Sequence, residues 1–342
     1  MARLFVRSAA PVLVILVILA ACAAPPVPRE PPPAPPAEAE AAPAPPATGA
    51  ADAGPVVEPA ALAPVPAAEP RVIRFSWKPA RGPAAAYAMD APDDQHRLVL
   101  PPGLEHGAEV PVVVGFHGQP ARGRDPRDYW FPGAVAELAR GWVRDGRLKP
   151  FALVLPVFRF VGGNWPGFDP KAFRAEVEKL LEAEGLRAGS WFAFGHSGAA
   201  GCGGDGLNSV FRLAPAAVGF FDTCLGPGFV KVLGELERRK TKTLVVHSVE
   251  TAGYSPRQTP EYQSGFDFGR AYEPAGLSPV PCPEHHPGER LRQQKWKCAA
   301  SPSKAVSAFV VDTGEGAEAH QAVIEPALLF FLEEHAALSV PQ

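Results

Sequence analysis

The stretch Trp191-Phe-Ala-Phe-Gly-His-Ser-Gly-Ala199 decides how this chain is expected to fold. Its first four residues are apolar and indicate a buried strand, which stops abruptly at Gly195. Ser197 follows at a tight turn, where small residues two positions before and after the serine leave room for a sharp bend. Gly195 fits this pattern, and Ala199 adds only one methyl group. The stretch therefore predicts a strand that presents the Ser197 side chain at the edge of a sheet.

The apolar runs on either side of this stretch alternate between the patterns of strands and helices. Asp169-Pro170, for example, is typical of a helix N-cap followed by proline in the first turn. This alternation predicts an α/β domain with a mostly parallel central sheet flanked by helices. The expected strands are 72–75, 96–100, 110–116, 151–155, 191–194, 216–221, 243–247 and 306–311, and the expected helices are 131–147, 170–181, 229–239 and 320–334.

Polar residues suited to catalysis follow several of these strands. His117-Gly118 ends an early strand, Asp222 and Glu250 each follow a later one, and His320 lies between the last strand and the last helix. Ligands of parallel sheets bind at the carboxyl ends of the strands. A serine hydroxyl is a poor nucleophile until a neighbouring base takes its proton. An acid must in turn orient the base and stabilise it once it is charged.

This order of elements and residues resembles the α/β-hydrolase family over roughly residues 95–337. The resemblance implies a serine hydrolase that cleaves a carboxylic ester of a small molecule or lipid through an acyl-enzyme intermediate. By the same resemblance Ser197 is the nucleophile and His320 the general base, and the reaction needs no metal and no organic cofactor. The family's usual acid position corresponds to Glu250. Some members carry the acid one strand earlier, and we therefore expect Asp222, with Glu250 as the alternative.

The family also stabilises the developing oxyanion with backbone N–H groups. In this chain they would come from Gly198, after the nucleophile, and from Gly118 or Gln119, after the early strand.

Two other interpretations of the sequence stay open. A catalytically inactive protein of this fold would serve as a binding or envelope-scaffold module. The run 201–206 also formally matches the dinucleotide pattern G-x-G-x-x-G, although its glycines begin several residues beyond the strand end.

The N-terminal segment has the composition of an export signal. Two arginines lie within the first seven residues, and residues 11–20 are almost purely apolar. Leu19-Ala20-Ala21-Cys22 resembles a bacterial lipobox. That resemblance implies a signal peptide at 1–21, a diacylglycerol on Cys22 and attachment to a membrane of the bacterial cell envelope. Ala23 favours the outer membrane by analogy, on either its periplasmic or its surface face.

Residues 22–70 are rich in proline and alanine, and we expect them to be a disordered tether. The folded domain is expected at 71–342, where 30 basic residues balance 30 acidic residues. Such a balance offers no electrostatic footprint for nucleic acid. The sequence does not indicate an oligomeric state.

The remaining four cysteines form an even set once Cys22 is assigned to lipid, and an oxidising compartment favours two disulfides. The local pairing is the economical one of three, and no C-x-x-C spacing supports a zinc site. The pairs are Cys202 with Cys224 and Cys282 with Cys298. The second pair lies within residues 251–305, which are long for a loop, and we expect this insertion to form a cap above Ser197.

Overall fold

The computed structural model describes residues 70–76, 96–118, 135–157, 168–197, 210, 212–223, 227–248, 276–285, 287, 296–311 and 320–341. The strands among them are β1 (Arg71–Phe75), β2 (His96–Leu100), β3 (Glu109–Phe116), β4 (Ala152–Leu155), β5 (Arg187–His196), β6 (Ala217–Phe221), β7 (Lys242–Ser248), β8 (Ser278–Val280), β9 (Trp296–Ala300) and β10 (Val306–Val311). The helices are α1 (Ala136–Arg144), α2 (Pro170–Ala183), α3 (Pro227–Arg239) and α4 (Ile324–Phe330). A π-helical turn, Phe331–His335, follows α4 directly.

The ten strands form one mixed sheet in the order β1-β2-β4-β3-β5-β6-β7-β10-β9-β8. Its six central strands, from β4 to β10, are parallel to one another. Two antiparallel strands extend it on each side, β1 and β2 at one edge and β9 and β8 at the other. The expectation of a mostly parallel central sheet is confirmed. The carboxyl ends of the six parallel strands share one edge of the sheet.

Helices cover both faces of the sheet, which explains why the central strands are apolar on both sides. Alternate residues of β3 show the division, because Val112 and Val114 pack on one face and Val113 packs on the other. The first face is covered by α2 and α3 and the second by α1 and α4. Buried helix residues on the first face include Phe173, Val177, Leu181, Phe229, Leu233 and Leu236. Those on the second face include Ala139, Trp142, Ala327 and Leu328.

The helix expected after Asp169 begins as the sequence predicts. The Asp169 side chain accepts hydrogen bonds from the backbone N–H groups of Lys171, at 2.9 Å, and Ala172, at 3.3 Å, and Pro170 occupies the first turn. This arrangement satisfies two amides that have no partner within the helix. The N-cap therefore sets where α2 begins in the connection between β4 and β5. Strand β5 is the one that leads to Ser197.

Three predicted boundaries differ from the structure. Strand β5 begins at Arg187 rather than at residue 191, because the polar stretch before the apolar run pairs with the start of β3 through an irregular register. Helix α1 ends at Arg144 rather than at residue 147, and residues 131–134 of the predicted helix lie outside the described part of the chain. The predicted helix 320–334 consists of a helical turn at 320–322, α4 and the π-helical turn.

The insertion expected to form a cap is described only from residue 276 onward. These residues supply β8 and β9, which pair antiparallel to each other and, through β9, to β10. This part of the insertion therefore extends the sheet, and residues 249–275 lie outside the described part of the chain. Cys282 and Cys298 are joined by a disulfide with a Cα–Cα separation of 5.2 Å. None of the helices among the described residues has the length and apolarity that a membrane crossing requires.

Candidate active site

Three neighbouring parallel strands carry polar residues at the same level, at or near their carboxyl ends. The register pairs His196 of β5 with Phe221 of β6, and Phe221 with Val246 of β7. The next residues along these strands are Ser197, Asp222 and His247. Because neighbouring strands lie about 4.8 Å apart, these three positions form a row at the carboxyl edge of the sheet.

Two residues of this row have an unusual backbone conformation. Ser197 has φ 56° and Asp222 has φ 48°, in the left-handed region that residues with a Cβ rarely adopt. Such conformations cost of order 1–3 kcal/mol each and persist only where the surrounding structure imposes them. Each one directly follows the last residue of its strand. The sharp turn predicted from Gly195 requires such a backbone conformation at Ser197, and Asp222 shares it.

The Asp222 carboxylate is buried and held from several directions. Its residue is 1% exposed. The backbone N–H of Ser248 donates to Oδ1 at 2.7 Å, and the Ser248 hydroxyl donates to Oδ2 at 2.9 Å. The Asp222 backbone N–H donates to the carbonyl of Val246 at 2.7 Å. Strand β7 therefore fixes both the backbone and the side chain of Asp222.

His320 meets this carboxylate from the other side of the row. Its Nδ1 lies 2.5 Å from Oδ2 of Asp222, and the two side chains are almost fully buried. A carboxylate oxygen accepts, so Nδ1 carries the proton in this contact, and Nε2 carries the lone pair with which a neutral imidazole acts as a base. The structure thus brings together Asp222 and His320, which are 98 residues apart in the sequence.

His196, beside Ser197, also contacts His320. The His196 Nε2–H donates to the backbone carbonyl of His320 at 2.9 Å, and the two ring centroids are 4.2 Å apart. Burial, and after it the proximity of His320, lowers the pKa of His196 to about 3. Consecutive Cα atoms are about 3.8 Å apart. Ser197 is therefore joined, through its immediate neighbour, to the residue that carries the candidate base.

A further buried histidine lies at the end of β7. The His247 Nε2–H donates to the backbone carbonyl of Thr223 at 3.0 Å. Burial lowers the pKa of His247, which keeps its ring neutral. His247 and Ser248 together hold the segment that begins at Asp222. Neither residue is predicted from the sequence to belong to the site, and the only signal for them is a polar pair at the end of an otherwise apolar strand.

The His117-Gly118 pair lies at the same edge of the sheet. Phe116, the last residue of β3, pairs with Gly195 of β5, so the pair follows β3 beside the turn at Ser197. The His117 Nδ1–H donates to the carbonyl of Gly118 at 2.8 Å, and both residues are buried. This bond holds the Gly118 carbonyl oxygen against the His117 ring.

Several predicted site residues lie outside the described part of the chain, namely Cys22, Gln119, Gly198, Cys202, Cys224 and Glu250. Within the described part, no three His, Cys, Asp or Glu side chains are grouped closely enough to hold a metal ion. The described site consists of a buried carboxylate, a histidine bonded to it, and a serine at a sharp turn next to them. This arrangement can take a proton from a hydroxyl group and return it to a leaving group.

The sequence matches no protein-family model and no curated protein. Its backbone is similar to that of the feruloyl esterase module from Clostridium thermocellum, with a TM-score of 0.47 and 13% sequence identity, over 82% of this chain and 93% of that one. The siderophore hydrolase EstA from Aspergillus nidulans is similar with a TM-score of 0.42 and 11% sequence identity, over 82% of this chain and 99% of that one. A bacterial brefeldin A esterase is similar with a TM-score of 0.37 and 13% sequence identity, over 82% of this chain and 79% of that one. The solved structures that this chain is similar to thus include esterases and a hydrolase.

Proposed function

We propose that this protein is a serine hydrolase that cleaves carboxylic esters of small molecules or lipids through an acyl-enzyme intermediate. The observation that carries the proposal is the 2.5 Å contact between Nδ1 of His320 and Oδ2 of Asp222 at the strand edge that carries Ser197. A hydrogen-bonded acid and histidine beside a serine on a strained turn form the arrangement that activates a hydroxyl group.

In the proposed reaction, the Ser197 hydroxyl oxygen attacks the ester carbonyl carbon while its proton passes to Nε2 of His320. Asp222 stabilises the resulting imidazolium through Nδ1–H. The C–O bond to the alcohol breaks, and His320 returns the proton to the leaving alkoxide. Water then attacks the acyl-enzyme with His320 again as base, releasing the carboxylic acid and restoring the Ser197 hydroxyl.

The developing oxyanion needs donors that are oriented before the reaction begins. We assign them to the backbone N–H of Gly198 and to that of Gly118 or Gln119. Support comes from the position of Gly118, which is buried directly after β3 at the edge of the sheet where β3 pairs with β5. One such donor typically contributes about 3–4 kcal/mol to transition-state stabilisation.

Hydrolysis of p-nitrophenyl esters by the full chain tests the proposed function. We expect measurable turnover by the wild-type protein and a loss of at least about 10⁴-fold in Ser197→Ala, because the nucleophile is gone. The matched control is Ser278→Ala, which removes an exposed hydroxyl on the edge strand β8. Equal activity in the wild type and Ser197→Ala would contradict the proposal.

The same assay decides between the two candidate acids. Asp222→Asn keeps the shape of the side chain and removes its charge, so we expect kcat to fall by about 10³- to 10⁴-fold. Glu250→Gln is expected to change kcat by less than about threefold, because in this proposal Glu250 takes no part in orienting His320. A large loss in Glu250→Gln together with full activity in Asp222→Asn would transfer the acid's role to Glu250.

We further propose that the enzyme is exported and attached to the bacterial envelope by lipid on Cys22. The support is the composition of residues 1–22 and the disulfide between Cys282 and Cys298, because such bonds persist in oxidising compartments. One acyl chain binds membranes only marginally, whereas the two or more chains of a lipoprotein anchor it stably. The proline-rich residues 23–70 would then separate the hydrolase from the membrane surface.

A further inference from the structure

The side chain of His196 links the turn that carries Ser197 to the segment that carries His320. It is the last residue of β5, is 0% exposed, and donates from Nε2 to the His320 backbone carbonyl at 2.9 Å. Its ring also packs against the His320 ring, with centroids 4.2 Å apart and an interplanar angle of 37°. The contact therefore spans 124 residues of sequence and ends beside the proposed nucleophile.

His320 is held by two hydrogen bonds that constrain different parts of the residue, its imidazole ring and its backbone. Asp222 holds its side chain at Nδ1, which sets the rotation of the imidazole ring. His196 holds its backbone carbonyl, which sets the position from which the side chain starts. An imidazole fixed only at Nδ1 still pivots about that bond, and Nε2 moves most because it is farther from the pivot. Fixing the backbone as well determines where Nε2 lies relative to Ser197.

The charge state of His196 suits this role. A carbonyl oxygen only accepts, so the Nε2–H donor is present in the neutral ring, and protonation at Nδ1 is not required. Among the described residues, the titratable groups around His320 include Asp222, directly after β6, His196 of β5 and His247 of β7. Burial keeps the two histidines neutral, since it lowers the pKa of each. His196 therefore orients the base without placing a positive charge beside it.

We propose that His196 is a positioning residue, which fixes Nε2 of His320 relative to Ser197 by donating a hydrogen bond to the His320 backbone carbonyl. The inference rests on the proposed hydrolase function. His196 takes no proton from the substrate and returns none. Its contribution is geometric, and misplacing a catalytic group by about 1 Å can cost on the order of 100-fold in rate.

Two substitutions with side chains of similar shape distinguish the effect of the hydrogen-bond donor on activity from the effect of side-chain packing. In His196→Gln the side-chain amide can donate from nearly the same position as Nε2, whereas in His196→Met the side chain has no donor. We expect kcat to stay within about threefold of wild type in His196→Gln and to fall about 10- to 100-fold in His196→Met, with KM changed by less than about threefold. His196→Phe, which keeps a ring, is a second variant without the donor and is expected to behave like His196→Met.

The split between kcat and KM provides a readout that a merely structural role would not produce. A displaced Nε2 lowers kcat per folded molecule and leaves KM unchanged, and the donor in His196→Gln restores kcat. Thermal unfolding of each variant, followed by circular dichroism, measures any loss of folded protein separately.

Equal loss of kcat in His196→Gln and His196→Met would overturn the proposal, since the donor would then not matter. Full activity in both donor-less variants, or a loss in both that appears in KM and not in kcat, would overturn it too. A failure of the proposed hydrolase function would give a different experimental result from a failure of the proposed role of His196. In that case the wild-type protein has no activity that depends on Ser197, and the comparison between the His196 variants has nothing to measure.

Discussion

At the scale of the residue, the carboxylate of Asp222 depends on Ser248. Both Ser248 donors reach it, the backbone N–H at Oδ1 and the hydroxyl at Oδ2, which also accepts from His320. Hydrogen bonds to charged groups contribute about 1.5–3 kcal/mol. Ser248 therefore limits the movement of the acid that orients the base.

Replacing Ser248 with alanine removes the hydroxyl donor and leaves the backbone N–H in place. We expect kcat/KM to fall by about tenfold, because the carboxylate keeps one of the two bonds from β7 and gains freedom to rotate. Steady-state hydrolysis of p-nitrophenyl butyrate measures the change. Ser278→Ala, which alters an exposed serine, is expected to match wild type. A Ser248→Ala protein with wild-type kcat/KM would show that the hydroxyl has no role in holding the acid.

The sequence indicates some of these residues and not others, for a physical reason. Ser197 and its turn are predictable because a strained turn restricts its own neighbours, such as Gly195, to small residues. Asp222 and His320 are predictable as candidates because each follows a recognisable apolar strand. Ser248 and His247 are not predictable, because their partners lie directly after a neighbouring strand and the strand order is a property of the folded chain.

At the scale of the element, the disulfide fastens the antiparallel end of the sheet. Cys298 is a buried residue of β9, which pairs with β10, and Cys282 lies just beyond β8. The bond closes a segment with a sequence separation of 16 residues. In the chain-entropy model, a closed loop of this length stabilises the folded state by roughly 3 kcal/mol.

The double substitution Cys282→Ala and Cys298→Ala is therefore expected to lower the free energy of unfolding by roughly 3 kcal/mol. Urea unfolding under non-reducing conditions measures the difference. Hydrolysis of p-nitrophenyl esters by the folded variant is expected to be close to that of wild type, because the bond lies beyond β10 rather than among β5, β6 and β7. An unchanged unfolding midpoint would contradict a stabilising disulfide.

The strands β8 and β9 are not predicted by the sequence pattern. β8 has three residues, all exposed, with a proline in the middle, so it has neither an apolar face nor the usual β-strand composition. β9 becomes recognisable only through its pairing with β10. Long central strands such as β3 are predictable because they are buried on both faces, whereas edge strands are specified largely by the neighbour that they pair with.

At the scale of the whole molecule, the alternation of strands and helices predicts the mostly parallel sheet but not the order of its strands. The sequence does not indicate that β4 lies between β2 and β3, because that depends on where each connection crosses the sheet. This order places β5, β6 and β7 side by side, so that Ser197, Asp222 and His247 form a row. The site is therefore a consequence of topology as much as of the individual motifs.

Buried neutral histidines also make the whole fold sensitive to acid. Burial lowers the pKa of His196 to about 3 and that of His335, in the π-helical turn, to about 4, from an ordinary value of 6.5. Below pH 6.5 the unfolded chain takes up protons that the folded chain excludes. Stability is therefore full above pH 6.5 and declines as the pH falls from 6.5 toward 4, by up to about 1.4 kcal/mol per pH unit for each such histidine.

We accordingly expect the free energy of unfolding, measured with urea, to fall between pH 7.5 and pH 5. His335→Phe keeps an aromatic ring beside Phe330 and Phe331 and removes one of the groups that titrate. This variant is expected to lose less stability over the same pH interval. If its decline with pH is as steep as that of wild type, the acid sensitivity does not come from His335.

The central claim is that His320, held by Asp222, activates Ser197. The most direct measurement is the rate at which a fluorophosphonate probe labels the intact protein, with the modified residue identified by mass spectrometry of its peptides. The account predicts labelling at Ser197, its absence in Ser197→Ala, and rates at least about 10³-fold lower in His320→Ala and Asp222→Asn. A folded, disulfide-bonded wild-type protein that is not labelled, or is labelled equally fast in His320→Ala, would contradict the claim and favour an inactive binding module.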